Sequence, residues 1–94
     1  ERSDIVEKKT VTLDARRMTT VRETHRYIAE KLDFPEYYGG NLDALYDCLG
    51  ELNGARIVIE NADTLRWSLG CYTQRLTEAF EAAAADGSIE FELR

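Results

Sequence analysis

Three carboxylates recur at four-residue intervals in the middle of the chain: Asp43, Asp47 and Glu51. On an α-helix this spacing places all three on one face. Carboxylates at that spacing repel each other by roughly 0.2–0.5 kcal/mol per pair, so the stripe is locally unfavourable. It could bind a basic partner, supply some of the oxygen ligands of a divalent cation, or be an ordinary solvated helix face. The spacing alone leaves these three interpretations open.

The segment that must position the stripe is a loop that runs into a helix. Residues 35–40 read PEYYGG, and the two glycines allow backbone conformations that other residues resist. Asn41 is a good N-cap, because its side-chain oxygen can accept a hydrogen bond from a first-turn N–H. Leucines at helical spacing then predict a buried face opposite the stripe: Leu42, Leu45, Leu49 and Leu52. Tyr46 lies at the border of the two faces. The loop tyrosines, Tyr37 and Tyr38, are of a type that suits a protein-binding surface.

Three further segments have the composition of β-strands, and their patterns differ. Residues 10–13 are rich in β-branched side chains. Residues 56–60 form an apolar run between charged ends, as expected of a central strand, whereas residues 88–93 alternate apolar and acidic, as expected of a strand with one wet face. The order β-α-α-β-α-α-β requires right-handed crossovers between parallel strands. We therefore predict a two-layer α/β domain, with a three-stranded parallel sheet and about four helices on one side.

The first helix is predicted from a capping box, in which Thr20 caps and Glu23 reaches back. It runs to about residue 32, before Pro35, which cannot continue it. Its periodicity predicts the inward side chains Val21, Ile28, Ala29 and Leu32. His25, the only histidine, is expected at the helix surface or boundary.

Two helices are predicted between the second and third strands. The first is short, capped by Asn61 or Asp63 and ended by Gly70. Its buried residues are expected to be Leu65 and Leu69, and Trp67 is expected to pack on its own helix or to be half exposed. The second covers residues 72–85, with Leu76, Phe80 and Ala83/Ala84 facing the core.

Length and charge limit the function. Ninety-four residues make one domain, expected at 10–94, after a charged and flexible extension at 1–9. Acidic residues outnumber basic ones by 18 to 12, for a net charge of −6, without the basic cluster that a nucleic-acid binder needs. A cationic protein is the partner that this charge favours, and no apolar run approaches the roughly 18 residues of a membrane span. Cys48 and Cys71 are expected to be reduced in a cytoplasmic protein, although a bridge between them remains open.

Enzyme motifs are missing from the sequence. His25 has no adjacent Ser or Cys motif, and neither a G-x-G-x-x-G nor a P-loop pattern is present. We therefore expect a protein that is not an enzyme and needs no cofactor. A divalent-metal site would have to be built on the acidic stripe, and the sequence identifies no further oxygen ligands for it.

Residues 35–49, PEYYGGNLDALYDCL, closely resemble the barstar family of intracellular inhibitors of barnase-type ribonucleases, and a weaker resemblance extends over residues 10–94. The resemblance implies that the loop and acidic helix enter the active site of a basic ribonuclease, where helix carboxylates replace RNA phosphates. Asp47 would be the phosphate mimic, Asp43 the second carboxylate, and Tyr37 the ring that packs on the catalytic histidine. The implied partner-binding residues are Tyr37, Gly39, Asn41, Leu42, Asp43, Tyr46, Asp47 and Glu51.

The sequence departs from the family at the rim of that surface. Ala82 replaces a glutamate of the last helix, Gly40 replaces a loop glutamate, and Leu52 replaces a tryptophan. Tyr46 stands where the family has an indole, and Glu51 is a candidate for a compensating charge. Changes at a rim alter partner choice more than fold. The functions left open are therefore a ribonuclease inhibitor that gives immunity, a module for a different basic toxin or enzyme, and a metal site on the acidic stripe.

Overall fold

The computed structural model describes residues 10–52 and 54–94, and the predicted N-terminal extension at 1–9 lies outside the described residues. The strands are β1 (Thr10–Asp14), β2 (Ala55–Glu60) and β3 (Ile89–Leu93). The helices are α1 (Val21–Leu32), α2 (Leu42–Leu49), α3 (Asp63–Leu69) and α4 (Tyr72–Ala85), and a short 3-10 helix at Ala15–Arg17 follows β1.

The sheet is parallel throughout, and β2 is its central strand. The order is β1-β2-β3, with Val11 opposite Ile57 and Ile57 opposite Phe91. Both connections pass through two α-helices, as the long crossover between parallel strands requires. The predicted α/β fold, a three-stranded parallel sheet with four helices, is confirmed.

One core joins the helices to one face of the sheet. The sheet contributes Val11, Leu13, Ile57, Ile59 and Ile89. The helices contribute Ile28, Leu32, Leu45, Leu49, Leu65, Leu69, Leu76, Phe80 and Ala83. The other sheet face is mostly polar, with Thr12 and Glu90 exposed and an ion pair of 2.7 Å between Arg56 and Glu92 around the buried Val58. The two-layer architecture predicted from the alternating last strand is therefore correct.

Helix α1 corrects two sequence predictions. Val21, predicted to face inward, is 40 % exposed, because it lines an open groove between α1 and the loop at 34–40. His25, predicted at the surface or boundary, is only 2 % exposed.

The Thr20 hydroxyl oxygen accepts the Glu23 N–H at 3.0 Å as predicted, but the Glu23 carboxylate lies 3.9 Å from Arg26. Within the described part of the chain, only the threonine half of the capping box is therefore seen.

Helix α3 begins differently from the prediction. Its N-cap position is Ala62, and no side chain caps it, so both predicted caps are wrong. Asn61 has a positive φ of 59°, and its side-chain amide donates to the Asp14 carboxylate at 3.1 Å. Its backbone carbonyl accepts the Thr64 N–H. Gly70 ends the helix as predicted and has a positive φ of 57°, but its ψ of −130° lies outside the left-handed helical region. Trp67 is 90 % exposed, further out than expected.

Candidate protein-binding surface

Helix α2 is fixed at its start and along its inner face. The Asn41 side-chain oxygen accepts the Ala44 N–H at 2.8 Å, which confirms the predicted cap. Leu45 and Leu49 are fully buried, and Leu42 packs partly on the same core. A helix held in this way presents its opposite face rigidly to the outside.

The outer face of α2 carries Asp43 and Asp47, both exposed one turn apart. Glu51 is also exposed but does not continue their stripe, because α2 ends at Leu49 and Glu51 lies in the turn that follows. Within residues 10–52 and 54–94, no group of three His, Cys, Asp or Glu side chains is arranged to hold a metal ion. The three carboxylates therefore do not assemble as the metal alternative requires.

The loop before α2 turns its two tyrosines in opposite directions. Tyr37 is 84 % exposed, whereas Tyr38 points inward, lies 5.1 Å from the Phe34 ring and is half-buried. Gly40 has a φ of +69°, which favours glycine, and a Cβ on Gly39 would lie 3.3 Å from the Asn41 amide nitrogen. Both glycines therefore suit the path by which the chain enters the helix.

A histidine that sequence reasoning misplaced lies directly beneath this loop. His25 Nδ1 is 2.6 Å from the Tyr38 hydroxyl, and Nε2 is 2.6 Å from the Tyr72 hydroxyl. A neutral imidazole donates through one nitrogen and accepts through the other, so two hydroxyls satisfy it completely. Burial lowers the pKa of His25 and raises the pKa of Tyr38. The missed signal was the spacing of His25 with Ile28 and Leu32, which places it on the buried stripe of α1.

A second contact that the sequence did not reveal joins α2 to the end of α4. The Tyr46 hydroxyl donates to the Asp86 carboxylate, and this hydrogen bond raises the pKa of Tyr46. Asp86 follows the last residue of α4, and its N–H bonds to the carbonyl of the exposed Ala82. A carboxylate thus lies beside α2, one helical turn beyond Ala82.

Six of the eight predicted residues meet on one exposed stretch of the structure: Tyr37, Gly39, Asn41, Asp43, Tyr46 and Asp47. The other two differ, since Leu42 is partly buried and Glu51 lies past the helix end. The surface combines an exposed aromatic ring with carboxylates on a capped helix, which is suited to a basic protein surface.

A family model described as Barstar (barnase inhibitor) matches residues 8–93 of the chain. The chain belongs to the barstar family. It is also similar to a protein of Bacillus subtilis (strain 168) named "Putative ribonuclease inhibitor YrdF". The two are 34 % identical over 85 residues, which cover 88 % of this chain and 93 % of that protein. The barstar resemblance drawn from residues 35–49 is therefore confirmed, and the family supports a role as a ribonuclease inhibitor.

The described residues also bear on membranes and disulfides. No helix within residues 10–52 and 54–94 is long and apolar enough to cross a membrane.

Cys48 and Cys71 are free thiols, so the bridge that the sequence left open does not form. Burial, with the nearby Glu51 and Asp47 charges, raises the pKa of the Cys48 thiol. That thiol is therefore not activated as a nucleophile.

Proposed function

We propose that this protein is a stoichiometric inhibitor of a small basic ribonuclease of the barnase type, and that loop 37–41 and the outer face of α2 block the RNA phosphate site. The observation that carries the proposal is the exposed pair Asp43 and Asp47 on a helix that is capped by Asn41 and buried on its other side. A carboxylate fixed in this way loses little conformational entropy when it docks.

Each exposed group has a role in this proposal. Asp47 pairs with the ribonuclease cations that bind a phosphate, because arginine and carboxylate form strong, directional hydrogen bonds. Asp43 lies one turn earlier and serves as the second carboxylate. Tyr37, with its ring 84 % exposed, packs on the catalytic histidine of the enzyme. The net charge of −6 accelerates encounter with a cationic partner.

The proposed mechanism is occlusion. The inhibitor needs no cofactor and performs no catalysis, since the surface only fills the site that RNA would use. The free thiols Cys48 and Cys71 are typical of a reducing compartment, which supports a cytoplasmic location. There the protein would give immunity against the cell's own secreted ribonuclease or a rival's ribonuclease toxin.

A second candidate is a barstar-like module for a different basic toxin or enzyme. The observation that favours it is Ala82, which is exposed on α4 where the family has a glutamate. In the partner of this protein, the group that faces Ala82 would then differ from the group that faces the glutamate in barnase-type complexes. Asp86, hydrogen-bonded to Tyr46 nearby, supplies a charge from a different position.

The test is RNA cleavage by barnase titrated with this protein at moderate and high salt. We expect stoichiometric inhibition that weakens with salt. Removing one partner of a desolvated charge pair costs about 3–5 kcal/mol, so Asp47→Ala should weaken inhibition by at least a hundredfold. Glu92→Ala is the matched control, because it removes the same charge from the polar face of the sheet.

The outcomes separate the two candidates. Inhibition that is lost in Asp47→Ala and kept in Glu92→Ala supports the phosphate-mimic mechanism. Equal small effects in both variants would refute the role of α2. If micromolar wild-type protein leaves barnase fully active, barnase is not a target, and capture of a different basic toxin would support the second candidate.

A further inference from the structure

The two residues that flank the Gly39–Gly40 pair are each tied to the fold by a side chain. After the glycines, Asn41 caps α2 through Ala44. Before them, the Tyr38 hydroxyl bonds to His25 at 2.6 Å. Glycine has the largest backbone freedom of any residue, so a loop with two of them keeps one conformation only if both of its ends are held.

His25 is itself held from the far side by a different element. Its Nε2 atom lies 2.6 Å from the hydroxyl of Tyr72, the first residue of α4, and the two rings meet edge to face at 6.0 Å between centroids. Because His25 is only 2 % exposed, it has little contact with solvent. The chain Tyr72–His25–Tyr38 therefore connects α4, through α1, to the loop.

The direction of Tyr37 depends on this connection. Tyr37 lies in a turn that ends at Tyr38, and the two rings point to opposite sides, with Tyr38 inward and Tyr37 outward. The Tyr38 N–H also bonds to the Pro35 carbonyl at 3.0 Å, which tightens the same turn. If the inward ring were released, the outward ring would lose its defined position.

We propose that Tyr72, His25 and Tyr38 form a clamp that holds loop 37–41 in the conformation that binds a ribonuclease. His25 and Tyr72 are then positioning residues: they order the binding surface but do not belong to it. The proposal rests on the proposed function of that surface. Its physical basis is that a loop already ordered in its bound form loses less entropy on binding.

The test compares two tyrosines that each lose only a hydroxyl. Tyr72→Phe removes the bond to His25 and keeps the ring. Tyr27→Phe is the matched control, because the Tyr27 hydroxyl accepts a tertiary hydrogen bond from the Asp14 N–H at 2.9 Å, at the end of β1. Both changes remove one tertiary hydrogen bond, so their effects on overall stability should be similar.

Two measurements are made on each variant: hydrogen exchange of the Tyr38 and Ala44 amides by NMR, and the dissociation constant for barnase. For Tyr72→Phe we expect about tenfold faster exchange at Tyr38 and about tenfold weaker binding. For Tyr27→Phe we expect neither change.

Equal changes in both variants would mean that the clamp contributes only to the overall stability of the fold, and would overturn the proposal. Faster exchange in Tyr72→Phe with unchanged affinity, or no change at all, would also overturn it. If the wild-type protein does not bind barnase, the proposed function fails for that partner. Exchange at Tyr38 still decides in that case whether the clamp orders the loop.

Discussion

The cap of α2 gives a prediction whose size follows from the structure. Asn41→Ala removes the side-chain bond that caps this eight-residue helix, the 2.8 Å contact with the Ala44 N–H. Loss of such a cap typically costs about 1 kcal/mol. For a domain of this size, 1 kcal/mol lowers Tm by about 4–8 °C. The size of this loss is read from thermal stability and not from binding, because Asn41 itself belongs to the exposed surface.

Differential scanning calorimetry checks this value against two matched variants. Asn41→Asp keeps an oxygen acceptor at the cap and should melt within about 2 °C of the wild type, since Asn and Asp cap about equally well. Thr20→Ala removes the equivalent cap of α1 and should lower Tm by a similar amount to Asn41→Ala. The reasoning is refuted if Asn41→Ala melts with the wild type while Thr20→Ala does not, or if Asn41→Asp is as unstable as Asn41→Ala.

Two further predictions concern the core. Burial lowers the pKa of His25 in the folded protein. Below about pH 6.5 the unfolded chain therefore binds more protons than the folded one. The free energy of unfolding should then fall as pH drops from about 7 to about 5. Urea unfolding should show this decline in the wild type and lose it in His25→Gln, and a flat wild-type profile would contradict it. Phe80→Ala removes a fully buried ring whose centroid lies 4.8 Å from that of Phe91. In the same assay it should lower the free energy of unfolding by about 3–5 kcal/mol. A loss under about 1 kcal/mol would show that the site collapses without leaving a cavity.

The fold was largely predictable because its signals are local. The contrast between the continuous β2 run and the alternating β3 run identified the central strand and the wet face. The Asn41 and Thr20 caps depend on residues three positions away, which a sequence displays directly. The start of α3 was missed because Asn61 uses its amide on Asp14, a residue 47 positions away.

The site was only partly predictable for the same reason. Asp43 and Asp47 follow from helix periodicity, but the extension of their stripe to Glu51 assumed a longer helix than the chain forms. The hydrogen bonds that satisfy the buried His25 come from hydroxyls 13 and 47 residues away, and the Tyr46 contact with Asp86 spans 40 residues. Periodicity can place a polar side chain on an inner face, but it cannot show which distant groups satisfy it.

The parallel register of the sheet also sets an order of events during synthesis. Thr10 pairs with Arg56, and Ala55 pairs with Ile89, so neither strand pair can form between neighbouring segments. Contacts so distant in sequence form slowly, because long stretches of chain must first be brought together. Helix α2 and its carboxylates leave the ribosome well before β3, yet Leu45 and Leu49 share a core with Ile89. We therefore expect the nascent chain to order the exposed face of α2 only after β3 has emerged, and the delay between the synthesis of α2 and the completion of this surface is then a property of the topology.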